Sequence, residues 1–499
     1  MRPAAETGTQ VLVVGAGPVG LLLAGDLSRY GVRVVLADRL PSPMTESRAS
    51  QLTARTMELL DQRGLAESFE WLAHEPRGHF GGLPFDAAAA ESCYAGNWKV
   101  PQYRTEAVLS EWARSLGVEL RRGHELKKLD VDGSGVTAQF ETPAGPSTVR
   151  AGHLVGCDGG GSTVAGLAGF THGGAPGVRE LLRADVRGVT VGEHRFARFE
   201  TGFASSARRP DGVTRVMVHR FGAIPRDRTG PPEFGEIVRA WHTVTGEDLS
   251  GAEPLWLDAF DDSWALATEY RRGRVMLAGD AAHTHMPVGG QALNLGLRDA
   301  ANLSWKLAAH LTGRAPRAVL DSYHTEQHAA AERVLANVQA QGMLLFDGPE
   351  LDPLRELLTG MLARPGLHPA FGHLVSGLGE RFEVGAEGHR LLGARMPDLG
   401  LLTRAGDARV LPLLHDARGV LLELAEGSAA AAERRRTVQS VSGWAECLRI
   451  VEARPQDPDA GSRLDGADAF LLRPDGHVVW TDTADLPLHT CVERWFAGK

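Results

Sequence analysis

A glycine-rich turn near the start of the chain has the residue types and spacing of a diphosphate-binding loop. In Gly15-Ala16-Gly17-Pro18-Val19-Gly20, glycines stand at the first, third and sixth positions. The first permits a tight turn, the second lets the backbone approach a diphosphate, and the third lets helix and strand pack closely. Backbone N–H groups at the start of the following helix then face the phosphate charge. The pattern predicts a dinucleotide site.

The segments around this turn are those that the pattern requires. Residues 10–15 are an apolar run typical of a buried strand, residues 21–30 have helical spacing, and residues 32–38 form a second apolar strand. Asp38 ends that strand, 18 residues after Gly20, where a carboxylate can accept hydrogen bonds from a ribose diol and disfavours a 2′-phosphate. This arrangement supports nucleotide binding but does not distinguish NAD from FAD.

Two later stretches favour FAD. Cys157-Asp158-Gly159-Gly160 is one, and Gly279-Asp280-Ala281-Ala282-His283 is the other. In the second, a strand ends in a glycine that admits close approach, and Asp280 can accept a hydrogen bond from the ribityl chain of a flavin. Downstream, Pro287-Val288-Gly289-Gly290-Gln291-Ala292-Leu293-Asn294 feeds a helix whose N-terminal N–H groups suit the electron-rich N1/O2 edge of a reduced flavin.

Two histidines lie beside this loop. His283 and His285 flank Thr284 and could act as a general base or as a metal pair. Their loop spacing, without carboxylate partners, argues against a metal, and we predict none. A structural or substrate-contact role is the alternative.

The apolar segments predict four units. Residues 1–171 begin a nucleotide-binding domain, and residues 172–268 form short strands typical of an antiparallel sheet. Residues 269–392 return to the first domain and end in a long helix and a linker that is rich in proline and glycine. Residues 393–499 form a small α/β module.

Composition argues against several classes of partner. A formal net charge of −9 and a pI near 6.1 provide no basic field for nucleic acid or an anionic membrane, so neither is predicted. The four cysteines are scattered without a CxxC or metal-like spacing, which indicates reduced thiols and a cytoplasmic protein.

Taken together, the motifs resemble a known family. They are GAGPVG, Arg48-Ala49 with Arg55-Thr56-Met57-Glu58, Pro101-Gln102, CDGG, GDAAH and PVGGQALN. The chain resembles the para-hydroxybenzoate hydroxylase class of FAD-dependent aromatic hydroxylases. Within that class it is most similar to the anthracycline- and angucycline-type polyketide hydroxylases, whose C-terminal domain is thioredoxin-like without redox cysteines.

The resemblance implies a fold and a set of site residues. The fold is α/β: a Rossmann-like FAD-binding domain of the GR2 type, an inserted antiparallel substrate domain to whose sheet residues 76–100 contribute, and a thioredoxin-like C-terminal domain. Asp38 would hold the adenosine ribose, Asp280 the ribityl chain, and residues 287–294 the isoalloxazine. The expected FAD-binding residues are Gly15, Gly17, Pro18, Val19, Gly20, Asp38, Arg39, Arg48, Gln102, Asp158, Gly279, Asp280, Pro287, Gly290, Ala292, Leu293 and Asn294, and the expected catalytic residues are Pro287, Gly289, Gly290 and His285.

The resemblance also implies the reaction. FAD would be reduced by NADPH or NADH, react with O2 to a C4a-hydroperoxide, and transfer one oxygen atom to a polycyclic aromatic polyketide. Hydroxylation is expected, with epoxidation or a Baeyer–Villiger step as alternatives, in a monomer or a homodimer. An NAD-linked dehydrogenase built on the first Rossmann unit is a weaker reading.

Two departures from the family pattern motivate a different hypothesis. Ala165 stands where family members usually carry an arginine associated with NADPH, and Ala292 stands where Gly-Gln-Gly is usual in the flavin loop. Both put flavin reduction or flavin seating in question. The alternative is a flavin-binding protein with impaired reduction, acting as a non-oxygenating component of a biosynthetic complex.

Overall fold

A computed structural model describes residues 8–44, 49–69, 73–209, 211–457 and 460–498. The strands up to residue 156 are β1 (Thr9–Val14), β2 (Val34–Asp38), β3 (Gln51–Thr53), β4 (Ala73–Glu75), β5 (Arg77–Phe80), β6 (Leu83–Asp86), β7 (Asn97–Lys99), β8 (Glu119–Arg122), β9 (Glu125–Val131), β10 (Val136–Thr142) and β11 (Gly145–Gly156). The helices up to residue 167 are α1 (Pro18–Arg29), α2 (Ala54–Asp61), α3 (Gln102–Ser115) and α4 (Thr163–Leu167).

The middle of the chain contributes strands first and helices afterwards. The strands are β12 (His172–Ala175), β13 (Glu180–Arg187), β14 (Ala197–Phe199), β15 (Gly202–Arg208), β16 (Thr214–Arg220), β17 (Glu253–Asp261), β18 (Trp264–Ala267), β19 (Arg271–Arg272), β20 (Val275–Leu277) and β21 (His283–Thr284). The helices are α5 (Phe234–Thr245), α6 (Gln291–Leu311), α7 (Arg317–Phe346), α8 (Asp352–Leu362) and α9 (His368–Ser376).

The central sheet confirms the β-α-β opening predicted from the glycine turn. Its order is β19-β20-β11-β1-β2-β8, with β10 and β9 attached beyond β11. β1 pairs in parallel with both β2 and β11, and β11 pairs in parallel with β20. The buried residues of β1 and β2 suit a sheet that is covered on both faces. The carboxyl ends of β1, β2 and β11 therefore meet at one edge, where the predicted site residues follow them.

A separate five-stranded antiparallel sheet lies between the two passes through the central sheet. Its order is β14-β15-β16-β13-β17, as the short apolar segments of residues 172–268 predict. Ile237, Trp241 and Val244 lie on the buried face of α5 and pack with Val216 and Val218 of β16. This packing closes one side of the sheet, so the opposite side is free to face the rest of the molecule.

The expectation that residues 76–100 add to this sheet is wrong. β5 and β6 pair with each other, and β7 pairs with β3 and β4. Within the described residues none of them hydrogen-bonds to the five-stranded sheet. The reason is local: Gly81 and Gly82 both have left-handed φ values, +55° and +81°, which turn β5 directly back onto β6. The segment packs beside the sheet instead, with the ring of His79 centred 3.9 Å from that of Phe196.

The region predicted as a linker is more helical than expected. α8 and α9 occupy much of the stretch between α7 and the C-terminal module. Pro369, one of the residues that indicated a linker, stands in the first turn of α9, and Pro353 stands in the first turn of α8. Proline is well tolerated there because the first N–H groups of a helix have no intrahelical partner.

The C-terminal module is built on a six-stranded sheet. Its elements are β22 (Gly400–Thr403), β23 (Gly406–Arg409), β24 (Gly419–Glu423), α10 (Ala429–Gln439), α11 (Trp444–Cys447), β25 (Leu448–Pro455), α12 (Ala460–Arg463), β26 (Ala469–Leu472), β27 (Val478–Thr481) and α13 (Leu488–Phe496). The strand order is β23-β22-β25-β24-β26-β27. β24 and β25 are parallel, whereas β26 is antiparallel to both of its neighbours.

Four buried ionisable side chains join this module to the helices of the first domain. Glu326 of α7 lies 2.7 Å from Lys306 Nζ of α6 and 2.7 Å from Arg473 Nη1, which follows β26. Arg473 also pairs with Asp475 at 2.5 Å, and none of the four side chains is more than 4% exposed. Burial alone would raise the pKa of Glu326, but Arg473 and Lys306 outweigh it and lower that pKa to about 2.

We predict that Glu326→Gln lowers the free energy of unfolding by about 3 kcal/mol at pH 7. Lys306 loses its carboxylate partner while Arg473 keeps Asp475, so one buried positive charge is left unbalanced. Because the pKa of Glu326 is lower in the folded state, its contribution is complete above the unfolded pKa of about 4.3 and is lost as pH falls towards 2. Urea titrations of both proteins between pH 3 and pH 7 should therefore converge at the acidic end.

The matched control for this experiment is Glu332→Gln, on the same helix. The side chain of Glu332 is 62% exposed, and among the described residues it forms an ion pair with His328 alone. Its removal should change the unfolding free energy by less than about 0.5 kcal/mol. Equal losses from the two variants would contradict the role given to the buried network.

Candidate active site

The predicted diphosphate turn is tightly packed at both ends and open at its centre. Gly15 has a left-handed φ of +105°, and a Cβ there would overlap the carbonyl group of Cys157. A Cβ on Gly20 would overlap the carbonyl of Gly15, so the turn and α1 are in direct backbone contact. A Cβ on Gly17, in contrast, would have no heavy atom within 4 Å. Open space at the N-terminal end of a helix suits a diphosphate.

Val19 connects this turn to the segment that returns from the five-stranded sheet. It lies in the first turn of α1, next to Pro18. A Cβ on Gly296 of α6 would lie 2.7 Å from Val19 Cγ2, and one on Gly279 would lie 3.0 Å from it. The two glycines thus let α1, α6 and the Gly279–Ala281 turn approach one another, although they are distant in sequence.

Asp38 lies at the end of β2, where the sequence predicts a ribose contact. Its side chain is 8% exposed. Its Oδ2 accepts a hydrogen bond from the Ala16 N–H at 2.6 Å, and its Oδ1 accepts one from the Leu40 N–H at 2.7 Å. A carboxylate has further lone pairs, so these bonds orient Asp38 and leave it acceptor capacity for a diol. Arg39, the next residue, is exposed.

Gln102 lies close to the same edge, at the start of α3. Its Oε1 accepts a hydrogen bond from the Ala49 N–H at 3.2 Å, and its Nε2 donates to Glu106 Oε1 at 2.9 Å. Burial, together with the nearby Asp38 carboxylate, raises the pKa of Glu106. Arg48, the expected partner of Gln102 on the cofactor, lies outside the described residues.

Asp158 organises the turn that follows β11. Its Oδ1 accepts from Ser162 Oγ at 2.5 Å and its Oδ2 from the Val164 N–H at 3.0 Å, so both carboxylate oxygens hold the start of α4. Burial raises the pKa of Asp158. Ala165 follows in the first turn of α4 and is only 5% exposed. The position where an arginine was expected is therefore a small, buried residue.

The Gly279–Ala281 turn is held in place by a carboxylate on α6. Asp299 Oδ2 accepts from the Gly279 N–H at 2.9 Å and from His283 Nε2 at 2.7 Å. Both side chains are completely buried. The expectation that His283 lacks a carboxylate partner is thus wrong. Its partner, Asp299, lies on α6 and not in the adjacent sequence. Asp280, between the two anchored residues, is exposed.

His285 is a half-buried neutral ring. Its Nδ1 donates to the Met286 carbonyl at 2.8 Å, and its Nε2 has no hydrogen-bond partner among the described residues. Burial lowers the pKa of His285 to about 4. A ring with that pKa is a weak base at neutral pH. Its predicted catalytic role remains a prediction.

The predicted flavin loop has an unusual backbone held by side chains from elsewhere. Gly289 and Gly290 have successive left-handed φ values of +70° and +66°, and α6 begins directly after them. Asn294 Nδ2 donates to the Gly290 carbonyl at 2.8 Å, while Asn294 Oδ1 accepts from the Thr53 N–H at 2.9 Å. Gln51 Nε2 donates to the Gly289 carbonyl at 3.1 Å. The loop carbonyls are thereby occupied by protein donors.

The remaining predicted residues lie at the two ends of the same loop. Pro287 is exposed, and Ala292 and Leu293 are half-buried in the first turn of α6. The N-terminus of this 21-residue helix carries partial positive charge, which suits an electron-rich group beside it.

A cavity of about 730 Å³ connects the flavin loop with the five-stranded sheet. This volume lies within the usual range of small-molecule sites, about 300–1,000 Å³. Three regions line it: the loop with its Gln51 contact, the open side of β15 and β16, and the short strands of residues 73–99. Its residues include Gln51, Pro287, Gly289, Gly290, Ser205, Ser206, Thr214, Glu75, His79, Lys99, Arg195 and Phe196.

Sequence reasoning missed several of these residues. Gln51, Lys99 and Asp299 belong to no motif, and their contacts join segments more than 15 residues apart. Phe80 and Phe85, which belong to the short strands of residues 73–99, are packed in a buried cluster.

Among the described residues, no three histidine, cysteine, aspartate or glutamate side chains come together as a metal site. Over the same part of the chain, no helix is long and apolar enough to cross a membrane.

Comparison with known proteins identifies the family. Residues 8–338 match the family model described as FAD binding domain, and residues 389–498 match the one described as aromatic-ring hydroxylase, C-terminal. The chain belongs to this family of FAD-dependent monooxygenases. The resemblance stated from the motifs is confirmed, and the open centre at Gly17 together with the anchored glycine loop fits the cofactor.

Relatives of this chain match it along nearly its whole length. The 12-dehydrotetracycline 5-monooxygenase/anhydrotetracycline 6-monooxygenase of Streptomyces rimosus is 39% identical over 504 residues, covering 97% of this chain and 98% of the relative. CabE, an aromatic hydroxylase from angucycline biosynthesis, has a structure with a TM-score of 0.92 and 43% identity, covering 99% of this chain and 100% of its own. The dialkyldecalin synthase of Streptomyces rugosporus is 37% identical, covering 97% and 98%.

We predict that Gly17→Ala and Gly20→Ala have opposite effects. The added methyl group at Gly17 enters open space, so the apoprotein should lose no more than about 1 kcal/mol of stability, while affinity for FAD falls by at least about tenfold. The methyl at Gly20 overlaps backbone and should cost about 1–3 kcal/mol in the apoprotein. Thermal melts of both apoproteins and FAD titrations by flavin fluorescence test this.

The pair also serves as its own control, since both variants add one methyl group to the same turn. Unchanged FAD affinity in Gly17→Ala would contradict the placement of the diphosphate beside Gly17.

Proposed function

We propose that this enzyme inserts one oxygen atom into a polycyclic aromatic polyketide, by hydroxylation of an electron-rich ring. The observation that carries the proposal is the cavity of about 730 Å³ shared by the flavin loop and the five-stranded sheet. It has room for several fused rings beside Gly289 and Gly290. The named activities of the tetracycline and angucycline relatives point to the same class of substrate.

In this proposal FAD lies along the edge at which β1, β2 and β11 end. Gly15, Gly17 and Gly20 would hold the diphosphate, with Asp38 at the adenosine ribose and Asp280 at the ribityl chain. Arg39, Arg48, Gln102 and Asp158 would complete the cofactor site, and the loop from Pro287 to Asn294 would face the isoalloxazine. When bound, FAD supplies the redox chemistry that activates O2, after reduction by NADPH or NADH.

The protein's own contribution is to position the substrate and to provide oriented dipoles. Asn294 and Gln51 donate hydrogen bonds to the Gly290 and Gly289 carbonyls, which are thereby occupied. N–H groups and the positive end of α6 would then face the ring edge of bound FAD, where negative charge develops. The sheet and the short strands flank the cavity on its other sides.

We further propose the boundaries near residues 171, 268 and 392, with a thioredoxin-like C-terminal domain. Support comes from the order β25-β24-β26-β27, in which one strand pair is parallel and the third strand is antiparallel. Its two cysteines, Cys447 and Cys491, are far apart in sequence, and burial raises the pKa of both thiols. A structural role for the domain follows, and free cysteines suit the cytoplasm.

A second candidate function is a flavoprotein that binds FAD but does not oxygenate. It is favoured by Ala165, which places no cation in the first turn of α4. The dialkyldecalin synthase, related along its whole length, has a name that describes no oxygen insertion.

We predict that the purified flavoprotein is reduced by NADPH or NADH without oxygen and that a polycyclic phenol accelerates the reduction. Loss of flavin absorbance should be followed, on admission of O2, by recovery of the oxidised spectrum and a product heavier by one oxygen atom. Stopped-flow absorbance and mass spectrometry measure both steps. Flavin that stays oxidised with every phenol and both nucleotides would reject the monooxygenase and support the second candidate.

A further inference from the structure

We propose that Lys99 binds an ionised oxygen atom of the substrate, so that the cavity selects acidic polycyclic compounds in their anionic form. The inference rests on the proposed function, because it assigns the substrate class of the same cavity. A phenolate, an enolate and a carboxylate share the required chemistry. A phenolate is the form expected at an oxygenation site, because ionisation enriches the ring in electrons.

Lys99 is the last residue of β7 and its ammonium group lies at the cavity wall. Nζ donates to Gln51 Oε1 at 2.8 Å and lies 3.3 Å from Glu75 Oε2. The side chain is 41% exposed, so the ammonium is not enclosed by protein. An ammonium group has three N–H donors, and the two partners found among the described residues leave it one donor for a ligand.

The charges around Lys99 favour an anion. Glu75, the nearest carboxylate, is shared between Lys99 and Arg195. Although burial alone would raise the pKa of Glu75, these two cations lower it, so the carboxylate is ionised and neutralises one of them. The charged residues of the lining are four cations against two anions: Arg77, Lys99, Arg195 and Arg208, with Glu75 and Glu193.

His79 and Phe196 form a flat wall in the same part of the cavity. Burial, together with the charges of Lys99 and Arg195, lowers the pKa of His79 to about 4, so that its ring is neutral. Phe196 has a left-handed φ of +52°, a costly conformation for a residue other than glycine. Its ring is centred 3.9 Å from that of His79. The wall suits an aromatic system, and Lys99 is left to bind the anionic oxygen.

Lys99 is also close to the flavin loop. Gln51 accepts from Lys99 and donates to the Gly289 carbonyl, so two hydrogen bonds separate the ammonium from the loop. A ring anchored at Lys99 through its ionised oxygen therefore lies in the part of the cavity that borders the predicted isoalloxazine site. The proton lost on ionisation passes to solvent.

The test uses the FAD-loaded enzyme and 1,2-dihydroxyanthraquinone, a dye whose absorbance shifts to longer wavelength when a phenol ionises. We expect binding to lower the first pKa of the dye by about one unit, equivalent to about tenfold tighter binding of the anion. Lys99→Met should abolish this lowering, and Lys99→Arg should retain most of it. Lys128→Met, which removes the same charge from the exposed strand β9, should bind the dye as the native enzyme does.

Two further ligands identify the source of the charge. We expect 1,2-dimethoxyanthraquinone, which cannot ionise, to bind the native enzyme at least about tenfold more weakly than 1,2-dihydroxyanthraquinone does. It should bind Lys99→Met as tightly as it binds the native enzyme. If anthraquinone-2-carboxylate is the one ligand of the three whose binding depends on Lys99, the result supports the inference that Lys99 binds an ionised oxygen. It then identifies that oxygen as part of a carboxylate. The inference would be overturned if the native enzyme bound the dye without changing its pKa. It would also be overturned if Lys99→Met lowered the dye pKa as much as the native enzyme does. The exception in both cases is that binding of anthraquinone-2-carboxylate depends on Lys99.

Oxygen insertion is not measured in these titrations. A protein that ionises the dye through Lys99 but never forms an oxygenated product would leave this inference intact and reject the proposed function. Retained FAD in every variant, read from the flavin spectrum, shows that the fold is preserved.

Discussion

The shared carboxylate of Asp299 is the interaction on which the geometry of the site depends. One oxygen accepts from both the Gly279 N–H and His283, in a place without solvent. Among the described residues Asp299 Oδ1 and His283 Nδ1 already lack partners, so losing either bond would add another unpaired buried group at a further cost. The two bonds therefore fix the Gly279–Ala281 turn relative to α6. The same helix begins at the flavin loop and packs through Gly296 against Val19 of α1. A single helix thus sets the relative positions of the glycine turn of residues 15–20, the Gly279–Ala281 turn and the loop of residues 287–294, which are the three segments proposed to hold FAD.

The C-terminal half of α6 extends this control to the last module of the chain. Lys306 pairs with Glu326, and Trp305 Nε1 donates to Asp475 Oδ2 at 3.1 Å. Buried ion pairs contribute little net stability compared with apolar packing, but they penalise any arrangement in which one partner is missing. The network therefore specifies how the module docks. The module has no recognisable catalytic pair, yet it supports the helix that begins at the flavin loop.

The sequence predicts those parts of the site whose chemistry is local. The spacing of Gly15, Gly17 and Gly20 is a backbone requirement, and Asp38 follows from the length of the β-α-β unit. Contacts between distant segments carry no such signal. Asp299 could not be paired with His283, nor Lys99 with Gln51, without knowing how helices and short strands meet. The strands of residues 76–100 were assigned to the wrong sheet because pairing depended on two left-handed glycines, Gly81 and Gly82, which close the hairpin on itself.

Binding of the flavin and its use on a substrate depend, in this proposal, on different parts of the molecule. The cofactor edge is fixed by backbone contacts and by buried carboxylates, which tolerate little change. The substrate cavity is assembled from short strands and exposed side chains such as Lys99 and Arg195, which can be replaced with little cost to the fold. Relatives with named activities as different as a tetracycline monooxygenase and a dialkyldecalin synthase are consistent with that division. Ala165 belongs to neither part, since it lies in α4 behind Asp158. If the family's arginine at this position serves NADPH, as the resemblance implies, its replacement by Ala165 would affect flavin reduction without removing a group from either part.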